Sequence, residues 1–168
     1  DRHNRLLWSE CLTRLKRWDD AAKVLAPLVE RDGTKDQALI LMGLIELARE
    51  KVDDASPFFS RVIAKNANNA LAQYGFGEVH YRRYRQGVQV SRLKAQEAFR
   101  AYMEHSAGWR DEVRRDEVRR KQLILDYEKE GEATVAAEDL VLKGTAEALA
   151  EAKTKLDAVV AANPDIEW

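Results

Sequence analysis

Between Ala38 and Ala70 the apolar positions follow a helical period, lose it, and take it up again. Ala38, Leu41, Met42, Ile45 and Ala48 recur at three- and four-residue spacing, Val52-Asp53-Asp54 interrupts, and Phe58, Phe59, Val62 and Ile63 restore the pattern. This is two helices and a turn. Gly43 lies inside the first of them, where glycine costs about 1 kcal/mol against alanine, so its presence points to close approach of a neighbouring helix. Gly77 follows 34 residues later in the same phase, with Met42 matched by Phe76 and Leu39 by Gln73. The same step backward sets Trp18 opposite Val52, Ala21 opposite Ala55, Leu25 opposite Phe59, and Leu28-Val29 opposite Val62-Ile63. The chain is therefore built on an internal repeat.

Along the chain, Arg5 to Leu15 reads as the first helix, with Leu7, Trp8, Cys11, Leu12 and Leu15 as its buried stripe. Asp19-Asp20 opens the second, where carboxylates suit the positive end of the helix dipole, and Asp32-Gly33 closes it. Asp53-Asp54 repeats that opening, and Pro57 is placed in a first turn that does not need its missing donor. In the third repeat the small-residue position moves from Gln89 to Ala95, followed by Phe99 and Tyr102, which implies six inserted residues around 85–91. Gly87 can turn the chain there and Ser91 can cap the next helix. Such insertions map to one edge of an array, often the binding edge; the alternative is that the extra turn only lengthens a helix.

Trp109 to Lys129 reads as a long charged helix holding a doublet, Asp-Glu-Val-Arg-Arg at 111–115 and again at 116–120. Its Val113 and Val118 diverge by about 140° around the helix, so no single stripe is buried there. Pairs at i, i+4, Asp111 with Arg115, Asp116 with Arg120 and Glu117 with Lys121, mark a solvated connector. Gly131 separates it from a helix at Ala133 to Leu142, and Gly144-Thr145 separates that from the last. There Ala152, Leu156, Val159 and Val160 take the places of Ala21, Leu25, Leu28 and Val29, with Asn163-Pro164 as the closing turn. A distorted fourth repeat is expected, and Asp165 to Trp168 suits the entry to a further one.

Composition narrows the function classes. At 168 residues, with three prolines and eight glycines, the chain has the size of one largely helical domain or short solenoid. No apolar run approaches the roughly 20 residues of a membrane span. The chain begins at Asp1 with no signal peptide in view, which fits a processed protein or an excised piece and leaves localisation open, the cytoplasm being favoured. Cys11 has no second thiol for a disulfide or metal site and reads as a small core residue. His3, His80 and His105 form no metal spacing, and there is no phosphate-cradling loop or nucleophile elbow, so neither an enzyme nor a cofactor is expected. Net charge is −1, yet residues 82–125 hold 12 basic and 6 acidic side chains, and residues 126–168 hold 4 and 11. Arg82-Arg83-Tyr84-Arg85, with Arg92, Lys94 and Arg100, interleaves aromatics and arginines as a nucleic-acid binder does; a solvated helical face is the commoner cause, and the overall charge supplies no strong field for a polyanion.

A 34-residue helix-turn-helix unit with small residues at the helix contacts resembles the tetratricopeptide repeat. Met42-Gly43 and Phe76-Gly77 stand at its Leu-Gly positions, Ala21 and Ala55 at its small-residue position, and Pro164 at its closing proline, whereas the first repeat has Trp8-Ser9, and Gly33 and Ala67 replace proline in the first two. The resemblance implies an all-α, right-handed α-solenoid of antiparallel helix pairs, about seven helices and no sheet, forming a single domain. Its units would span about 2–34, 35–68, 69–108 with the insertion, and 109–168 as irregular C-terminal helices. It also implies that the first helices line a concave groove for a partner's peptide or helix. Carried over by position, that groove holds Leu6, Glu10 and Arg14, then Ile40, Leu44 and Leu47, then Tyr74, Glu78, Tyr81 and Arg82. The subgroup that grips a C-terminal carboxylate has lysine, asparagine and arginine at such positions, from which Leu6, Glu10, Leu44, Tyr74 and Glu78 depart. A mostly apolar groove points to an amphipathic helix or apolar peptide, or to the chain's own segment from Ala133 to Val160 folding over it. Three readings follow: a protein-binding adaptor; an assembly element that self-associates or continues a longer array; and a nucleic-acid binder using Arg82 to Arg120.

Overall fold

The computed structural model describes residues 2–30 and 35–164. The closing turn expected at Asp32-Gly33 and the repeat entry expected at Asp165 to Trp168 lie outside the described residues. Among the described residues there are nine helices and no strand: α1 (Arg2–Arg14), α2 (Trp18–Val29), α3 (Asp36–Ala48), α4 (Val52–Lys65), α5 (Ala70–Arg85), α6 (Ser91–His105), α7 (Glu112–Tyr127), α8 (Lys129–Lys143) and α9 (Ala146–Ala162). The fold is the all-α array of antiparallel helix pairs that the resemblance implies, with nine helices among the described residues in place of about seven. The chain divides into two compact bodies, Asp1–Gly108 and Trp109–Trp168.

In the first body α1 packs on α2, α3 on α4 and α5 on α6, while α2 meets α3 and α4 meets α5 across repeat boundaries. Ala21, Leu25, Leu28, Val29, Leu39, Met42, Ile45, Ala55, Phe59 and Val62 are buried in one core. Each first helix ends alike. Arg17, Lys51 and Val88 donate backbone N–H to the carbonyls of Leu12, Glu46 and Arg83, while Lys16, Glu50 and Gly87 donate to Thr13, Leu47 and Tyr84. This is the Schellman pattern, and its left-handed residue is Lys16 (φ 56°), Glu50 (φ 62°) and Gly87 (φ 94°) in turn. The six inserted residues are thereby placed: α5 has 16 residues where α1 and α3 have 13, its turn runs from 86 to 90 where the earlier turns are three residues long, and α6 begins one residue further ahead of Ala95 than α4 does of Ala55. Ala95 is fully buried, as Ala21 and Ala55 are, so the displaced small-residue position is occupied as expected.

The glycines mark close approach. A Cβ on Gly43 would stand 2.6 Å from Phe59 Cζ, and one on Gly77 would stand 2.5 Å from Phe99 Cδ1, each ring belonging to the second helix of the same repeat. Gly75 is not distinguished by the repeat phase, yet a Cβ there would penetrate the Phe59 ring from the following repeat.

Several local expectations are corrected. Of the stripe on α1 only Leu12 is buried; Leu7, Trp8, Cys11 and Leu15 are exposed. The equivalents of Leu7, Trp8 and Cys11 on α3, namely Leu41, Met42 and Ile45, lie in or against the core, α3 being packed by both α2 and α4, whereas among the described residues no helix precedes α1. Pro57 is the sixth residue of α4 and so lies beyond its first turn. Ser91 is not the cap of α6 but its first residue, buried with its Oγ 3.3 Å from His80 Nδ1. Asp19 and Asp53 do more than open helices: Asp19 pairs with Arg49 at 2.9 Å and Asp53 with Arg83 at 2.6 Å, equivalent pairs that each join one repeat to the next. Both aspartates are largely exposed, so Asp53→Asn is expected to lower stability by only about 0.2–1 kcal/mol, and less at high salt, as urea titration at two ionic strengths would measure.

In the second body α8 packs on both α7 and α9. Val118 is buried and Val113 exposed, in keeping with their divergence around α7. The helix is nevertheless more than a solvated connector, because Arg119 reaches Glu138 at 3.1 Å and Arg120 reaches Asp139 at 2.5 Å, both on α8. Of the expected i, i+4 pairs Glu117 with Lys121 forms, and Asp111 also pairs with Arg114 and Asp116 with Arg119. The corner between α7 and α8 falls at Glu128 (φ 48°) and not at Gly131. Gly131 sits inside α8, where a Cβ would strike the backbone carbonyl of Leu123. Thr145 then caps α9, its hydroxyl accepting from Ala148 N.

Candidate protein-binding face

The three first helices α1, α3 and α5 lie side by side, α3 touching both others. Polar contacts tie them: Gln37 Nε2 donates to Glu10 Oε1 at 2.9 Å, and Arg82 Nη1 donates to the carbonyl of Leu47 at 2.7 Å. The second of these satisfies a carbonyl in the last turn of α3, where a cation also complements the helix dipole.

The ten residues carried over for the groove divide by accessibility. Arg14 is exposed, and Leu6, Glu10, Leu44, Tyr74, Tyr81 and Arg82 are half-buried. Ile40, Leu47 and Glu78 are buried, so the face is less apolar at its surface than the sequence implies. Ile40 and Leu47 join the core, with Leu44 and Leu6 packed against it. Tyr74 and Tyr81 lean toward α6, their rings 5.6 Å from Tyr102 and 6.3 Å from Phe99. Arg82 also approaches Glu78, Nε to Oε2 at 4.0 Å. Of the ten, the accessible apolar members are therefore Leu6, Leu44, Tyr74 and Tyr81, and the accessible charged ones Glu10, Arg14 and Arg82.

His80 is the titratable group the sequence left without a role. Its ring is buried, 4.4 Å from Phe76 in an edge-on contact, and holds Ser91 Oγ through Nδ1. Burial, and then the charges of Arg83 and Lys94, lower its pKa to about 4. At neutral pH it is an uncharged packing residue, equivalent in the repeat to Leu12 and Glu46, both also buried.

An open cleft of about 400 Å³ lies between the turn joining α1 to α2 and the turn joining α3 to α4, lined by Lys16, Arg17, Trp18, Asp19, Asp20, Arg49 and Lys51. Its charges are largely matched, Arg17 with Asp20 at 2.7 Å and Arg49 with Asp19. The basic segment is also partly engaged in the fold, through Arg82 on Leu47, Arg83 on Asp53, and Arg119 and Arg120 on α8. Among the described residues no group of histidine, cysteine, aspartate or glutamate side chains has the arrangement of a metal site. No helix among them is long and apolar enough to cross a membrane.

No family model matches the chain, and no curated protein matches it in sequence. A solved structure does: that of TTC0263, a thermophilic TPR protein in Thermus thermophilus, superposes on 98% of this chain and 93% of its own with a TM-score of 0.66 at 15% identity. The likeness is one of fold, and it extends through both bodies of the chain.

Proposed function

We propose that this tetratricopeptide-like protein is a non-catalytic scaffold that holds an apolar peptide or amphipathic helix of a partner protein against α1, α3 and α5. The observation that supports this reading is that Leu6, Leu44, Tyr74 and Tyr81 are half-exposed on adjoining helices that also carry the accessible charges Glu10, Arg14 and Arg82. Apolar side chains gathered at a concave helical surface are the anchor sites that helix-in-groove recognition uses. The fold supports a protein-interaction role in general, and the composition of this face supports the apolar partner.

Leu44 and Tyr81 touch the core and Phe99, so giving both a charge would weaken the fold together with binding. A photo-crosslinking residue placed at exposed Gln37, beside Glu10, is the gentler test, with the same residue at exposed Ser60 on α4 as control. Adducts with a protein of a native lysate are expected from position 37 and not from position 60. Adducts from position 60 alone, or none from position 37 in a protein of unchanged circular dichroism, would place the interaction elsewhere.

A further inference from the structure

Two apolar helix faces in this chain are left open, and they are the two halves of an interface that the chain already forms twice. On α1, Leu7, Trp8, Cys11 and Leu15 are exposed, Trp8 by 59% and Leu15 by 68%. The equivalents of the first three on α3, Leu41, Met42 and Ile45, lie in or against the core, and that of Leu15 is Arg49, which reaches Asp19 on α2. On α9, Leu149, Leu156 and Val160 are exposed, by 45%, 38% and 51%. With Ala152 in register with Ala21, these three occupy the places of Trp18, Leu25 and Val29 on α2, and of Val52, Phe59 and Ile63 on α4. All six of those residues belong to, or pack against, the core that joins successive repeats.

A face of the α3 kind and a face of the α2 kind are complementary by construction. Charge adds direction. Residues 2–17 hold five basic side chains against one acidic, whereas residues 126–168 hold 4 basic against 11 acidic. The basic excess on and beside α1 and the acidic excess of the segment that carries α9 favour the meeting of unlike ends over like ones, although α9 itself is nearly balanced, with three acidic and two basic side chains.

We infer that the protein associates with itself head to tail, the exposed face of α1 in one copy docking on the exposed face of α9 in the next, in the manner of α3 on α2. Such a contact uses different patches on the two partners, so it leaves an open face at each end of a pair and allows growth beyond a dimer unless a ring closes. It is independent of the face formed by α1, α3 and α5, and Gln37 adducts should survive its loss.

Light scattering across a concentration series tests it. The wild type should exceed the 19.2 kDa of one chain as concentration rises, and high salt should reverse this. Trp8→Glu blocks the head and Leu156→Glu the tail, so each alone should remain a single chain. Mixed, they should form a one-to-one pair and nothing larger, because each retains the face the other lacks. Leu15→Glu replaces the head variant should Trp8→Glu lose its circular dichroism signal. A wild type of single-chain mass at every concentration, a blocked variant that still self-associates, or a mixture that does not pair would each overturn the inference.

Discussion

Gly75→Ala is expected to destabilise the protein by about 1–3 kcal/mol, although alanine is the better helix former by about 1 kcal/mol. The reason is Phe59. Its ring is fully buried in α4 and is met by Gly43 of its own repeat on α3 and by Gly75 of the next on α5. A methyl group on either glycine falls inside the van der Waals envelope of the ring, and a ring bounded by two backbones has little room to move away. The first repeat shows how the conflict is relieved: Leu25 stands in the place of Phe59, Ser9 in that of Gly43 and Leu41 in that of Gly75. Phe59→Leu should therefore cost stability by itself through the cavity it leaves, and cost less, or nothing, in the Gly75→Ala background. Urea titration of the four proteins in a double-mutant cycle measures the coupling. Simple additivity would show that Phe59 is not held between the two glycines.

Between pH 7 and pH 5 His80 should withdraw about 2 kcal/mol of stability. In the unfolded chain the imidazole titrates near its ordinary 6.5, whereas in the folded protein burial and the nearby Arg83 and Lys94 lower its pKa to about 4. Over that window the unfolded state binds the proton and the folded state does not, so stability rises with pH from about 4 to 6.5 and levels off above. Each unit of the difference is worth about 1.4 kcal/mol. Carboxylates also titrate as the pH falls, so the measurement is the difference in pH slope between the wild type and His80→Leu, which takes its side chain from Leu12 of the first repeat. The variant should lack the fall between pH 6.5 and pH 5 whatever its absolute stability. Parallel profiles would mean that the ring accepts a proton in the folded state, and that it is not sealed by Phe76 and Ser91.

The repeat could be read without coordinates because it is written in local terms. A 34-residue step in apolar phase, glycines inside helices at 43 and 77, and small residues at 21 and 55 each state a requirement of one helix toward its partner in the same hairpin. Those requirements are met: Gly43 faces Phe59, Gly77 faces Phe99, and Ala95 takes up the displaced small position. The candidate face was legible only as a set of positions. The same phase that names Ile40 and Leu47 as groove residues does not reveal that they are buried, since that depends on how nearly the surrounding helices approach.

Other outcomes turn on neighbours that periodicity does not supply. An apolar stripe is the same string of letters whether or not a helix lies upon it: Met42 and Ile45 are buried, while Trp8 and Cys11, one repeat earlier, are exposed. Gly75 carries no mark of its own because its ring belongs to the previous repeat, and Asp19 and Asp53 look like ordinary helix-opening carboxylates until Arg49 and Arg83 arrive from the next. The helices, their pairing and the contacts inside each hairpin follow from side-chain size and spacing along a few turns of chain, and so are written in the order of residues. Which faces are covered, which charges join successive repeats and how deeply the apolar positions are sunk follow from the packed arrangement, because burial belongs to the distance between elements.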